Sequence, residues 1–375
     1  MPSSWRHVAT VFSWHRSKGD SPVGSSCGLA QRYRRFAETA AGESPMSARV
    51  ATALSESDDA LDALAGMPAR KRNPAMILAA LHDLALAGRA PRLAAAHASL
   101  DGPAAARVAV EVLVRMSDEI VAGTVHRRVH ANETGRCAVL YPAIAEAARR
   151  AGAEAVGLID VGCGAALNLT VDRVGLTYSN GQRLGDDASI VQMEASIVGE
   201  RRLPARALPH VTTRIGIDTD PIYVTDPVDA RWLRACISPE HPDRIAQLET
   251  EMTLLATEPP DLLHGDTLDV LPDALARVPA SALPVITTTW SLAKLLLESR
   301  WRFLRGLDEI AAHRPMVWVS VEGVGVAPTV PTFGDRHASG HSIIGVSILD
   351  GASRQTEAVG RCWSRGRLLS WLAEA

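Results

Sequence analysis

Leu158–Asn168 reads LIDVGCGAALN, and this stretch decides the fold. Val156 to Val161 is a short apolar run with an acid, Asp160, near its end, the pattern of a buried strand with a polar tip. Gly162 and Gly164 follow as a turn whose backbone a ligand can approach closely. From Ala165 the composition is that of a helix, so the turn should present unpaired N–H groups at the carboxyl edge of a sheet, where α/β proteins bind ligands. Two nucleotide-binding patterns are excluded at once. A dinucleotide fingerprint needs a third glycine, and that position is Leu167; a phosphate loop needs Gly-Lys-Ser/Thr, and no lysine is near.

Working outward, the C-terminal side alternates short apolar runs with amphipathic segments, the signature of a largely parallel sheet. Strands are predicted at Val156–Val161, Thr212–Asp218, Asp261–His264, Leu283–Thr289 and Met316–Val321. A closing antiparallel hairpin is expected from Ser342–Leu349 and Glu357–Trp363, joined through Asp350-Gly351. Helices are predicted after Asp226-Pro227, over about 242–256, from Ser291 to about 313, and from Gly366. About 60 positions separate Asp160 from Asp218, where a strand–helix–strand unit takes about 20 to 30. The excess, Gly175 to about His210, reads as an insertion with a small hairpin around TYSNGQ, able to cover or block a pocket.

Residues 29–150 show helix after helix and no strand-like alternation. Ser44-Pro45 and Asn73-Pro74 each place a capping side chain before a proline suited to the first helical position. The expected organisation is a tail at 1–28, a helical domain at 29–150 and an α/β domain at 151–375. The 375 residues suit about two domains. With 47% apolar residues and a net charge of −3, the chain has no bias toward nucleic acid or a membrane surface. Its five cysteines form no CxxC pair, which fits a reducing cytoplasm. No apolar run approaches the ~20 residues of a membrane span.

The strand–Gly-x-Gly–Ala element resembles the first motif of the Rossmann-like methyltransferases that bind S-adenosylmethionine. The resemblance implies an acid after the second strand for the ribose hydroxyls, met by Asp218, and a polar residue after the third for the adenine, met by Asp266 with Thr267. Asp160 and the turn Gly162, Cys163, Gly164 and Ala166 would hold the methionine part, with Asn168 and Trp290 lining the same pocket. Taken alone, Asp218 and Asp266 each also fit a helix cap. GCGAALNLTVDR (Gly162–Arg173), the block from Ile215 to Glu240, HANETGR (His130–Arg136) and RYRRF (Arg32–Phe36) resemble a bacterial family known as domain of unknown function 2332, similar to methyltransferases in its core. That similarity covers residues 29–375 and implies a fold without naming a substrate.

The fourth strand ends in TTTW (Thr287–Trp290) instead of the Asn/Asp-Pro-Pro-Tyr of enzymes that methylate amino groups of nucleic-acid bases. A small acceptor is therefore expected, with no nucleic acid and no membrane; the oligomeric state stays open. Methyl transfer needs alignment and, for a protonated acceptor, a base. Candidate bases are Glu322, His264 and Glu133, and Arg136 could bind an acidic group of the acceptor. Glu133 and Arg136 also fit an ion pair, and His264 a plain edge histidine. A non-catalytic cofactor-binding or regulatory protein is the competing class. A metal-dependent hydrolase rests only on the pairs His126/His130 and His337/His341. A zinc site needs three or four convergent ligands, so no metal is expected.

Overall fold

The computed structural model describes residues 26–130, 135–336 and 339–373. Among the described residues seven helices come first: α1 (Ser26–Ala40), α2 (Pro45–Glu56), α3 (Asp58–Gly66), α4 (Pro74–Leu86), α5 (Pro91–Ala98), α6 (Gly102–Arg115) and α7 (Ser117–Thr124). Then come α8 (Cys137–Arg150), β1 (Ala155–Val161), β2 (Gly175–Tyr178), β3 (Arg183–Gly185), β4 (Gln192–Ile197) and β5 (His210–Asp218). Next are α9 (Pro227–Ala235), α10 (Pro242–Thr257), β6 (Asp261–His264), α11 (Thr267–Arg277), β7 (Leu283–Thr289) and α12 (Leu297–Ala311). Four strands close the series: β8 (Met316–Gly323), β9 (Ser342–Asp350), β10 (Ser353–Trp363) and β11 (Leu368–Trp371). Among the described residues no helix is long and apolar enough to cross a membrane.

The chain forms two compact units, Met1–Asn132 with Thr225–Leu248, and Glu133–Val224 with Glu249–Ala375. This division differs from a cut at 150. Almost every residue of α8 is buried, against one face of the sheet, so α8 belongs with the strands. The segment carrying α9 belongs with the helices, where Arg231 pairs with Asp83 of α4 and Trp232 donates to the Arg128 carbonyl.

In the helical unit the caps are local chemistry. Asn73 accepts from the Met76 amide and Asp226 from those of Val228 and Asp229, each before a proline. Ser44 does not cap α2. Its hydroxyl bonds His241 instead, and the Glu240 carboxylate takes the Met46 and Ser47 amides, a charged substitute at the positive end of the helix. His82 and His97 lie edge to face at 5.2 Å, with His82 Nδ1 against the carbonyls of Ala235 and Ile237. Burial pushes both imidazoles down, His97 to about 4, and each therefore sits neutral. Their contribution to stability is complete above pH 6.5 and is lost as pH falls toward 4, because the unfolded chain binds the proton first. Urea midpoints should therefore drop between pH 7 and pH 5, and drop less in His97→Leu.

The second unit carries an 11-stranded sheet of order β3-β2-β4-β11-β10-β9-β8-β7-β1-β5-β6. Strands β6, β5, β1, β7 and β8 are parallel; β9, β10 and β11 follow as an antiparallel run. From β1 the chain steps outward to β5 and β6, then returns to β7 and β8 on the other side, so the order reverses beside β1. This is an α/β protein with a mostly parallel, mixed sheet. Alternation sends Leu158, Val317, Val319 and Val321 to the face covered by α8, and Ile159, Ile286, Met316 and Trp318 to the face covered by α11 and α12.

One expectation fails here and another is extended. The predicted helix from Gly366 is instead β11, antiparallel to β10 and parallel to β4. The segment after Gly175 does contain the hairpin around TYSNGQ, but its strands β2 to β4 extend the sheet and line α8. Tyr178 donates to the Ala138 carbonyl, and the Leu208 amide donates to Tyr141. A helix buried along Cys137–Ala148 needs cover on every side, and these strands supply part of it. Among the smaller shifts, the helix expected from Ser291 is a short turn at Leu292–Lys294 followed by α12.

Candidate functional site

The site lies at the carboxyl edge of β1, where the strand order reverses. Gly162, Gly164 and Ala166 all have positive φ (73°, 56° and 59°), so the turn coils tightly and leads into a 3-10 helix, Leu167–Arg173, in place of the expected α-helix. A Cβ on Gly162 would stand 2.7 Å from Ser291 Cβ, which with its φ makes glycine obligatory. The amides do not stay unpaired as expected. Gly162 and Cys163 both donate to the Ile217 carbonyl, Gly164 to Asp218 Oδ2, and Ala166 to the Cys163 carbonyl. A tight turn beside a neighbouring strand finds acceptors at once, where an α-helix N-terminus would have left its first donors open.

Asp160 is buried and holds the floor of the site. It accepts from Thr287 Oγ1 at 2.7 Å and from Asn168 Nδ2 at 3.0 Å, and Asn168 also reaches Thr289 Oγ1 at 2.9 Å. Burial pushes the Asp160 carboxyl up to about 6, with the nearby Asp218 adding to the rise and Thr287, Asn168 and Arg136 opposing it. Asp218, half-buried, takes the Gly164 amide on one oxygen and the Asp220 amide on the other, each at 3.0 Å. A carboxylate has about four acceptor positions, so two remain on Asp218. Burial raises the Cys163 thiol well above its ordinary value, with both carboxylates adding to it.

The TTTW stretch is explained by its partners. Thr287 serves Asp160, Thr288 accepts from the Trp318 indole at 3.0 Å, and Thr289 serves Asn168. Trp290 has φ of 52°, a strained value for an aromatic residue, and its indole donates to Ser342 Oγ at 2.8 Å. The Arg136 guanidinium stacks 5.2 Å from its ring centre.

Glu322, at the end of β8, is 1% exposed. Its Oε1 accepts from the Ser291 and Leu292 amides at 3.0 and 2.9 Å, while Oε2 is buried without a partner. Burial lifts its carboxyl to about 7 against those amides and Arg300. Asp266 is exposed and caps α11 through the Leu268 amide, with Arg302 at 3.9 Å; Thr267 opens that helix, and His264 is exposed at the tip of β6. Glu133 and His337 lie outside the described residues. Among the described residues no group of three or more His, Cys, Asp or Glu is placed to hold a metal ion. Two hollows on this unit, of about 550 and 210 Å³, are lined by residues other than those of the turn.

One constellation was not foreseen. His341 Nε2 meets Asp335 Oδ2 at 2.8 Å, and Arg361 grips both oxygens of Asp335 at 2.7 and 3.1 Å. Arg361 holds that carboxyl below its usual range, so it stays charged. In the sequence His341 stands out only as half of a metal pair with His337. Arg361 lies on the far strand of the hairpin and carried no local signal. In register, Ser342 faces Gly323, which puts His341 at the same sheet edge as the turn.

The architecture and this edge define an α/β protein of mostly parallel, mixed sheet with a polar cluster at its strand-order reversal. A family profile described as an uncharacterised protein conserved in bacteria (DUF2332) matches residues 30–371, and the chain belongs to that family. No curated protein and no solved structure matches the chain.

Proposed function

We propose that the protein is a Rossmann-like, S-adenosylmethionine-dependent methyltransferase of the cytoplasm acting on a small acceptor. One observation carries the reading: a Gly-x-Gly turn stands at the reversal of strand order, and the acid on the adjacent strand, Asp218, binds that turn while keeping two acceptor positions open. Parallel strands ordered as in doubly wound folds place ligands in this crevice. A carboxylate with two open positions suits the vicinal hydroxyls of a ribose.

In this reading Asp218 orients the ribose and the turn accommodates the methionine part. Asp160 acts from beneath by fixing Asn168 and Thr287, and so the turn, without touching the ligand. Asp266 and Thr267 lie toward the adenine end, and Trp290 with Arg136 flanks the acceptor side. When bound, the sulfonium supplies an electrophilic methyl group. The internal pairing of the turn amides favours a second reading, a protein that binds the cofactor without transferring the methyl group.

The test is thermal. S-Adenosylmethionine or S-adenosylhomocysteine at a hundredfold excess over Kd should add about 2.7 kcal/mol by mass action and raise Tm accordingly. Asp218→Ala should abolish that shift. A wild-type protein whose Tm neither ligand moves would overturn both readings. Binding of S-adenosylmethionine without formation of S-adenosylhomocysteine would favour the second.

A further inference from the structure

We propose that Lys294 holds the α-carboxylate of the ligand's amino-acid part, so that the site selects a nucleoside carrying an amino acid over the same nucleoside without that carboxylate. The inference rests on the methyltransferase reading and deepens it by naming what binds the methionine end. The glycine turn is poorly equipped to do so alone. Gly162 and Cys163 donate to the Ile217 carbonyl, Gly164 to Asp218 Oδ2 and Ala166 to the Cys163 carbonyl, so these four amides are already paired. Asp160 and Asp218 both act on the turn with negative charge. A carboxylate brought over it meets two acids and none of those four donors, and a cation must offset its desolvation.

Lys294 is placed to supply that charge. Ser291 Cα lies 3.8 Å from the position a Cβ on Gly162 would take, so the segment after β7 rests directly on the turn. Glu322 Oε1 fixes this segment by accepting the Ser291 and Leu292 amides. The Lys294 amide donates back to the Ser291 carbonyl at 3.2 Å. That bond closes a single turn and keeps the Lys294 backbone within about 7 Å of that of Ser291. From there a four-carbon stem carries the ammonium. Its charge reaches Cys163, the central residue of the glycine turn: burial and both acids raise that thiol, and Lys294 opposes the rise. Neighbouring cations serve other groups. Arg300 donates to the Leu292 and Leu295 carbonyls, Arg302 faces Asp266 at 3.9 Å, and Arg136 stacks on Trp290. Lys294 is exposed, so its replacement removes a charge without opening the core.

The test uses the full chain, calorimetric Kd values and two probes: S-adenosylhomocysteine and its decarboxylated form, in which an aminopropyl group replaces the amino acid. The wild type should bind S-adenosylhomocysteine about 10- to 100-fold more tightly than the decarboxylated probe, the size of one charge-assisted contact. Lys294→Met should remove most of that difference by weakening S-adenosylhomocysteine alone, with the Tm of the unliganded protein unchanged. Lys294→Arg keeps the charge and should restore a large part of the difference. Equal weakening of both probes in Lys294→Met, or an unchanged Kd for S-adenosylhomocysteine, overturns the assignment. So does a carboxylate-specific loss in Arg136→Met that Lys294→Met does not show. In each of those cases S-adenosylhomocysteine binding by the wild type keeps the cofactor reading. Binding of neither probe by the wild type removes both.

Discussion

Glu322→Ala is expected to lower the stability of the sheet-bearing unit by about 3–5 kcal/mol, measured as a fall in the urea midpoint. The carboxylate is the acceptor for the Ser291 and Leu292 amides at a position only 1% exposed. Each buried donor left without an acceptor costs about 1–3 kcal/mol, and the vacated volume adds to that. Glu322→Gln keeps the accepting oxygen and should cost about 1 kcal/mol or less at low pH. The two forms then diverge with pH. The folded carboxyl is raised from 4.5 to about 7, so the unfolded chain loses its proton first. Its contribution is complete below pH 4.5 and is lost as pH rises through about 7, a change on the order of 3 kcal/mol. Glu322→Gln should lack that slope and overtake the wild type near neutrality. Equal slopes in the two proteins would contradict the assignment. The buried histidines of the helical unit slope the other way, gaining over the same range.

The second large effect is Trp318→Ala, expected to cost about 4–5 kcal/mol in the same measurement. Trp318 is fully buried on the face of β8 covered by α12, with its ring edge to face with Phe303 at 6.0 Å. Truncating a buried aromatic residue costs about 3–5 kcal/mol, and a well-oriented aromatic pair adds about 0.5–1.5. Its indole N–H also occupies Thr288 Oγ1, so the variant leaves that hydroxyl without its donor inside the sheet. Trp318→Phe keeps most of the volume and loses the hydrogen bond, and about 1–2 kcal/mol is expected. Similar costs for the two variants would show that packing is not the main term.

Much of the fold was legible because the responsible residues are neighbours in sequence. The apolar runs of β1, β6, β7 and β8, and the caps at Asn73 and Asp226, are decided within a few positions. What was hidden depends on distant partners. Gln192–Ile197 and Leu368–Trp371 are short and nearly featureless, and they become strands by pairing with β2 and β10 respectively as well as with each other. The site divides in the same way. Gly162, Gly164 and Asp218 announce themselves, since a tight turn and a strand-end acid have recognisable chemistry. Asp160 reads as a ligand contact, and its bonds to Asn168 and Thr287 add a bracing role that no local pattern announces. Asp266 carried the two readings openly, and its side chain sits on the cap. The run of three threonines looked like a missing motif, whereas each hydroxyl serves a different polar side chain.

β11 sits between β10 and β4, so the block β2–β3–β4 joins the main ladder only through residues 368–371. Strands encoded before β5 must therefore wait for a partner encoded after all the others, a pairing of long sequence separation and slow closure. Until the ribosome has delivered Trp371, β4 is an open edge, the template for pairing with other chains that natural sheets avoid exposing.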